Sequence, residues 1–275
     1  MEETYSLLDC GGGRKLERFG QYVLDRPCSQ AVWRPCLGSD VWSRADGYFT
    51  REDGNKWTFK KRLPGSWTCS VGHVSFRISP TDFGHVGVFP EHLLVWNWMS
   101  KLIRGSGRQL SVLNLFAYTG GASLSLAKDG CQVCHLDASK KMVDWACRNA
   151  ELNGLTESPI RWIVDDVNKF LNREVRRGRR YDGILLDPPS FGRGTNQELF
   201  KIDNNLLELL ELCVKVLSPD ATFLFLSCHT PGYTPLVLSN VLGQTVGRGE
   251  IASGEMAIYG EGITLPCGSY AAVTF

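Results

Sequence analysis

The chain has 275 residues, 43% hydrophobic and 21% charged, with 30 Lys and Arg against 29 Asp and Glu. That length suits one large domain or a full-sized domain with a small companion, and the ordinary apolar fraction excludes intrinsic disorder. The best apolar run, Ala221 to Cys228, falls well short of the roughly 20 residues of a membrane span, and a net charge of +1 excludes a globally basic nucleic-acid binder but not a local basic patch.

The opening residues, with acids at Glu2 and Glu3, lack the basic start and apolar core of a signal peptide. A cytoplasmic chain with reduced thiols is therefore expected. Gly11 to Gly13 precede no helical pattern and read as a flexible turn. Short alternating runs follow at Gly47–Thr50, Lys56–Phe59, Ser66–Cys69 and His73–Ile78, separated by turn formers such as Glu52–Asn55 and Leu63–Ser66. Period-two alternation punctuated by turns predicts antiparallel strands. Residues 1–80 are accordingly expected to form a small β-rich module, and residues 81–275 a second domain.

From Gly107 the pattern becomes strand, helix, strand. Leu110–Phe116 reads as a buried strand, Ala122–Lys128 as a short helix ended by Gly130, and Cys131–Leu136 as the next strand. Met142, Val143, Ala146 and Ala150 recur at helical spacing before a stop at Gly154. Strands are predicted again at Ile160–Val164, Tyr181–Leu186 and Thr222–Leu226, with a leucine-rich helix from Leu206 to Leu217. Two strands near Met256 and Tyr270 can form a terminal hairpin. The expected fold is α/β, a doubly wound, mostly parallel Rossmann-like sheet preceded by the β-rich module. Ten cysteines in such a chain are too few for a disulfide scaffold, and the pair Cys131 and Cys134, with no second pair at zinc spacing, reads as structural.

Ligands of open α/β sheets sit beyond the carboxyl ends of the strands, so the residues there carry the chemistry. After the first strand, Asn114–Ser123 includes Thr119, Gly120 and Gly121, which let backbone approach a ligand at a helix start. The dinucleotide fingerprint GxGxxG is absent there. Asp137, about twenty residues further on, can accept from ribose hydroxyls, although Asp137-Ala138-Ser139 also suits a helix cap. Asp165 and Asp166 follow the third strand, where a carboxylate can accept from an adenine amino group or Asp166 can cap the next helix. The fourth strand ends in Asp187-Pro188-Pro189-Ser190, a stiff turn that presents an acid and carbonyls to a planar amine-bearing base. The fifth ends in Ser227-Cys228-His229, where Cys228 is either a nucleophile once ionised or a passive thiol. The one dense basic cluster, Asn172 to Arg180, suits phosphate contact or a solvated helix end.

As a set, FAYTGGAS (Phe116–Ser123), LDASKKMVDWACRNAELNGL (Leu136–Leu155), VDDVNKFL (Val164–Leu171), DPPSFGRG (Asp187–Gly194) and LSCH (Leu226–His229) resemble the S-adenosylmethionine-dependent methyltransferases grouped with the large-subunit ribosomal RNA cytosine-C5 methyltransferases. The resemblance runs from about Pro80 to the C-terminus. It implies a class I methyltransferase with S-adenosyl-L-methionine as cofactor. Phe116, Tyr118, Thr119, Gly120 and Gly121 would line the methionine part, with Asn114 at the strand end. Asp137 with Ala138 would hold the ribose, and Asp165 and Asp166 would face adenine. Gly87–His92, with Phe89, resembles the segment that closes over the methionine end. Asp187 and Pro188 would meet both cofactor and target base, and Cys228 matches the nucleophile that adds to C6 of cytosine. Asn114, Ala122 and Ser190 depart from the family pattern. The expected partner is RNA, with no membrane or metal. An amino-group or small-molecule methyltransferase with Cys228 passive, and a non-catalytic RNA-binding protein keeping the fold, stay open as alternatives.

Overall fold

Contacts between Cα positions divide the chain into two units, one of Met1–Leu93 and Ala257–Cys267, the other of Leu94–Met256 and Gly268–Phe275. The computed structural model describes residues 4–52, 54–193 and 199–275; Glu2, Glu3, Asp53 of the expected turn at 52–55 and Gly194 lie outside the described residues.

In the first unit, β1 (Tyr5–Gly11), β2 (Arg14–Phe19) and β3 (Tyr22–Pro27) precede a short α1 (Ser39–Trp42), then β4 (Gly47–Thr50) and β5 (Lys56–Phe59). These strands form one sheet in sequence order, antiparallel except where β3 meets β4. β6 (Trp67–Val71) and β7 (Val74–Ile78) make a separate hairpin whose residues alternate between buried and less buried. The strands at 47–78 fall where alternation placed them. The first three do not show in the sequence because their interior is charged. Glu17, fully buried, receives Arg26 at 2.5 Å, Lys15 at 3.3 Å and the Tyr5 hydroxyl at 3.0 Å. Between β1 and β2, Gly12 and Gly13 hold φ of 59° and 75°, so the expected flexible turn is a tight hairpin turn that only glycine fills without strain.

The second unit carries α2 (Leu93–Ser106), then β8 (Ser111–Leu115), α3 (Gly121–Lys128), β9 (Gln132–Asp137), α4 (Lys140–Leu152), β10 (Ile160–Val164), α5 (Val167–Arg176) and β11 (Gly183–Leu186). A small hairpin, β12 (Phe191–Arg193) with β13 (Leu199–Lys201), leads into α6 (Ile202–Val216), β14 (Phe223–Cys228) and α7 (Pro235–Val246). β15 (Glu250–Gly260) and β16 (Ile263–Thr274) complete it as a hairpin whose tip, Ala257–Cys267, counts with the first unit. The seven-stranded sheet runs β10-β9-β8-β11-β14-β16-β15. β8 to β11 and β14 are parallel, and β16 is antiparallel to β14.

This is the doubly wound, mostly parallel architecture that strand–helix alternation predicted. Its core packs the inner faces of β8, β9, β11 and β14 against α5, α6 and α7 through Leu113, Leu186, Leu226, Phe170, Leu209 and Leu242, all essentially buried. Strand order reverses between β8 and β11, and the crevice beyond their carboxyl ends is where such sheets take ligands. Cys131 and Cys134 are both buried free thiols. Among the described residues no helix is long and apolar enough to cross a membrane.

Candidate active site

The chain leaves β8 through a turn that is strained on purpose. Phe116 and Tyr118 sit at φ of 56° and 50°, the left-handed region, which costs a non-glycine residue about 1–3 kcal/mol. Surrounding groups hold it there. The Tyr118 amide donates to Asp137 Oδ2 at 2.9 Å, the Ala117 amide to the Leu136 carbonyl at 3.0 Å, and buried Asn149 Nδ2 to the Thr119 carbonyl at 2.9 Å. Gly120, at φ 92°, opens α3, and a Cβ there would lie 3.1 Å from that of Ala146. Gly121 is the first helical residue.

Asp137 ends β9 and binds both flanks of the crevice, its Oδ1 accepting from the Ser139 amide at 2.8 Å beyond Ala138. Burial raises its pKa above the ordinary carboxylate value, and the two amides offset part of that. Each oxygen keeps lone-pair capacity beyond its single amide, which is what vicinal hydroxyls require. Asp166 caps α5, accepting from the Lys169 amide at 3.0 Å. Asp165 accepts from the Asp166 amide at 2.8 Å and pairs with Arg173. The basic cluster is thus partly spent on acids, Arg173 on Asp165 and Arg177 on buried Glu174, which Arg161 of β10 also approaches.

Beyond β11 and β14 the two connections are joined by side chains. Ser227 Oγ donates to Asp187 Oδ1 at 2.8 Å, and His229 Nε2 lies 3.5 Å from the same oxygen. Ser190 and Thr230 hydroxyls meet at 2.6 Å, and the Tyr233 hydroxyl donates to Asp203 at 2.7 Å. Pro188 is buried between them in sequence, while Phe191 at the start of β12 is 53% exposed. On the neighbouring hairpin, the Phe200 ring packs 5.3 Å from that of Phe116.

Cys228 is the last residue of β14 and is only 1% exposed. Burial pushes its thiol pKa up; hydrogen bonding from Thr230, whose amide lies 3.4 Å from Sγ, opposes this, and the Asp187 and Asp203 charges add to the rise. His229 is turned to Asp187. Asn114 is likewise turned inward, with Nδ2 donating to Ser123 Oγ at 2.9 Å. Phe89 lies in the first unit, its ring 5.2 Å from that of His85. Sequence reasoning missed Asn149, Ser227, Thr230, Asp203 and Tyr233. The i+2 hydroxyl after Cys228 was the one available signal.

A family model described as S-adenosylmethionine-dependent methyltransferase matches residues 48–241. The chain belongs to that family. This methyltransferase is similar to a crystal structure of the SAM-dependent methyltransferase from Agrobacterium tumefaciens, with 41% identity and a TM-score of 0.94 over 98% of this chain and 90% of that one. It is 37% identical over 118 residues to ribosomal RNA large subunit methyltransferase I of Klebsiella pneumoniae, covering 42% of this chain and 29% of the relative. It is 34% identical over 154 residues to ribosomal RNA large subunit methyltransferase K/L of Shewanella loihica, covering 55% and 21%. The matches thus span less than a third of the length of these curated relatives. S-adenosylmethionine is the cofactor of this methyltransferase, and the crevice fits it. A half-used carboxylate at the end of β9 and a left-handed turn at the end of β8 are the groups a ribose and an amino-acid tail need.

Proposed function

We propose that this methyltransferase modifies a base of large-subunit ribosomal RNA, at cytosine C5, with Cys228 as nucleophile. The observation that carries this reading is the placement of Cys228 at the carboxyl end of β14, its sulfur met by the Thr230 amide, on the strand whose Ser227 holds Asp187. The ribosomal RNA methyltransferases among its relatives support the substrate class.

In this reading Asp137 with Ala138 holds the ribose, Asp165 and Asp166 lie toward adenine, and Phe116, Tyr118, Thr119, Gly120 and Gly121 cradle the methionine part. Asn114 supports that turn through Ser123. When bound, the cofactor supplies an electrophilic methyl on a sulfonium, so the protein's work is positioning. Asp187 accepts from the exocyclic amino group of the base and the Pro188 carbonyl borders it. Cys228 gives its proton to water and adds to C6, which makes C5 nucleophilic. After C5 is methylated, its proton leaves to water, the C5–C6 double bond re-forms and the C6–S bond breaks, returning Cys228. Residues 1–80 serve as the substrate-recognition module.

The test is labelled methyl transfer to ribosomal RNA from cells lacking this protein, with nucleoside identification. 5-Methylcytidine made by the wild type and abolished in Cys228→Ala is the expected result. Label in an amino group, or full turnover by Cys228→Ala, would overturn the cysteine mechanism.

A further inference from the structure

Asn114 belongs to a buried polar chain whose other two members, Ser123 and His135, have no role above. Asn114 Nδ2 donates to Ser123 Oγ at 2.9 Å, and that oxygen lies 2.9 Å from His135 Nδ1. Ser123 and His135 are completely buried and Asn114 nearly so.

The direction of the chain follows from counting hydrogens. Full burial drives the His135 pKa down to about 3, so the imidazole is neutral and carries one proton. Its Nε2 is buried with no hydrogen-bond partner among the described residues, and its ring lies 4.8 Å from that of Trp162 at an interplanar angle of 59°. An unprotonated Nε2 would bury a bare lone pair with no donor, whereas an N–H can be accommodated among aromatic neighbours. The proton therefore sits on Nε2. Nδ1 is then an acceptor, and the Ser123 hydroxyl, already accepting from Asn114, spends its single hydrogen on it.

The placement of the three residues gives the chain its purpose. Asn114 stands two residues before Phe116, Ser123 two after Gly121 and His135 two before Asp137. His135 and Asp137, two apart on β9, share a face, while Asn114 stands near the end of β8 and Ser123 in the first turn of α3, so the three hydrogen-bonded side chains tie together the elements that flank the turn. We propose that Asn114, Ser123 and His135 form a positioning relay that fixes both ends of the cofactor turn against Asp137. The relay rests on placing the cofactor against the Phe116–Gly121 turn.

Calorimetry with S-adenosylhomocysteine tests it, with Asp137→Ala measured beside it. Ser123→Ala should weaken binding roughly tenfold, since two buried partners lose their bond and the turn loses its anchor. In turnover the KM for S-adenosylmethionine should rise with kcat nearly unchanged, and Ser123→Thr, which restores the hydroxyl, should recover most of the loss. Wild-type affinity in Ser123→Ala, with Asp137→Ala weakened, would overturn the relay. Wild-type affinity in both would overturn the placement of the cofactor on which it rests. Where Ser123→Ala fails to fold, nitrogen NMR of the histidine-labelled wild type decides. An Nε2–H tautomer for His135 that does not titrate between about pH 5 and 8 is expected, and an Nδ1–H tautomer or a titration in that range would overturn the relay.

Discussion

Asn149, rooted in α4, donates to the carbonyl of Thr119 in the turn after β8 at 2.9 Å, and its side chain is completely buried. A helix on one side of the sheet thereby holds the peptide that precedes Gly120. Asn149→Leu keeps the volume and removes the donor, leaving a buried carbonyl without this bond, a cost of about 1–3 kcal/mol. Urea unfolding should show that loss, and calorimetry should show weaker S-adenosylhomocysteine binding.

Asp137 gives cofactor affinity a pH dependence. Burial raises its pKa in the folded protein. By itself, this group then favours the cofactor-free fold at low pH, and that contribution is lost as pH rises through the raised value. Ribose hydroxyls need the ionised form, so affinity moves the opposite way and falls as pH drops through the same value. Asp137→Asn should bind more weakly and lose the dependence, read by calorimetry across a pH series.

Cys228 predicts a different profile. Its raised pKa leaves the thiolate scarce near neutrality. If the thiolate is the attacking form, log kcat/KM climbs with pH at a slope near one until the raised value is reached. Thr230→Pro removes the amide that lies 3.4 Å from Sγ, so that limb should move to higher pH. Steady-state kinetics with an RNA substrate measure both.

In the first unit, Glu17 governs stability. Burial would raise its pKa, but Arg26 and Lys15 more than offset that and hold it below the usual value. Its contribution is therefore present above the ordinary carboxylate pKa and lost as pH falls through the lowered one. Glu17→Ala leaves Arg26 and Lys15 buried without their partner and should cost about 3–5 kcal/mol in chemical denaturation. Arg18→Ala, at an exposed position of the same strand, should cost under about 0.5 kcal/mol.

The sheet of the second unit was legible because its strands are continuous apolar runs and Gly130 and Gly154 stop their helices at φ of 86° and 68°. Asp137, Asp166 and Asp187 were legible as crevice residues because they follow those runs. The burial of Cys228 was not, since the run Phe223–Cys228 continues two residues past the expected end and carries the thiol into the pairing with Ser269. Neither was the Ser227–Asp187 bond, which joins residues 40 apart that only the pairing of β11 with β14 brings together. The β12–β13 hairpin was hidden by its three-residue strands, and β1 to β3 by charges that point inward.

β16 lies between β14 and β15, antiparallel to β14, with Ser269 opposite Cys228 and Thr274 opposite Phe223. Strand β14 therefore gains its second neighbour only from residues made about forty positions later. During synthesis the cysteine strand is an open edge, apolar from Phe223 to Leu226, the kind of edge that pairs with other chains. At Gly268 the fit is close enough that an added methyl would come 2.9 Å from the Cys228 carbonyl. Whether a nascent chain aggregates or closes its sheet thus turns on how quickly the last strand slots in, and Gly268 is where a single methyl would slow it.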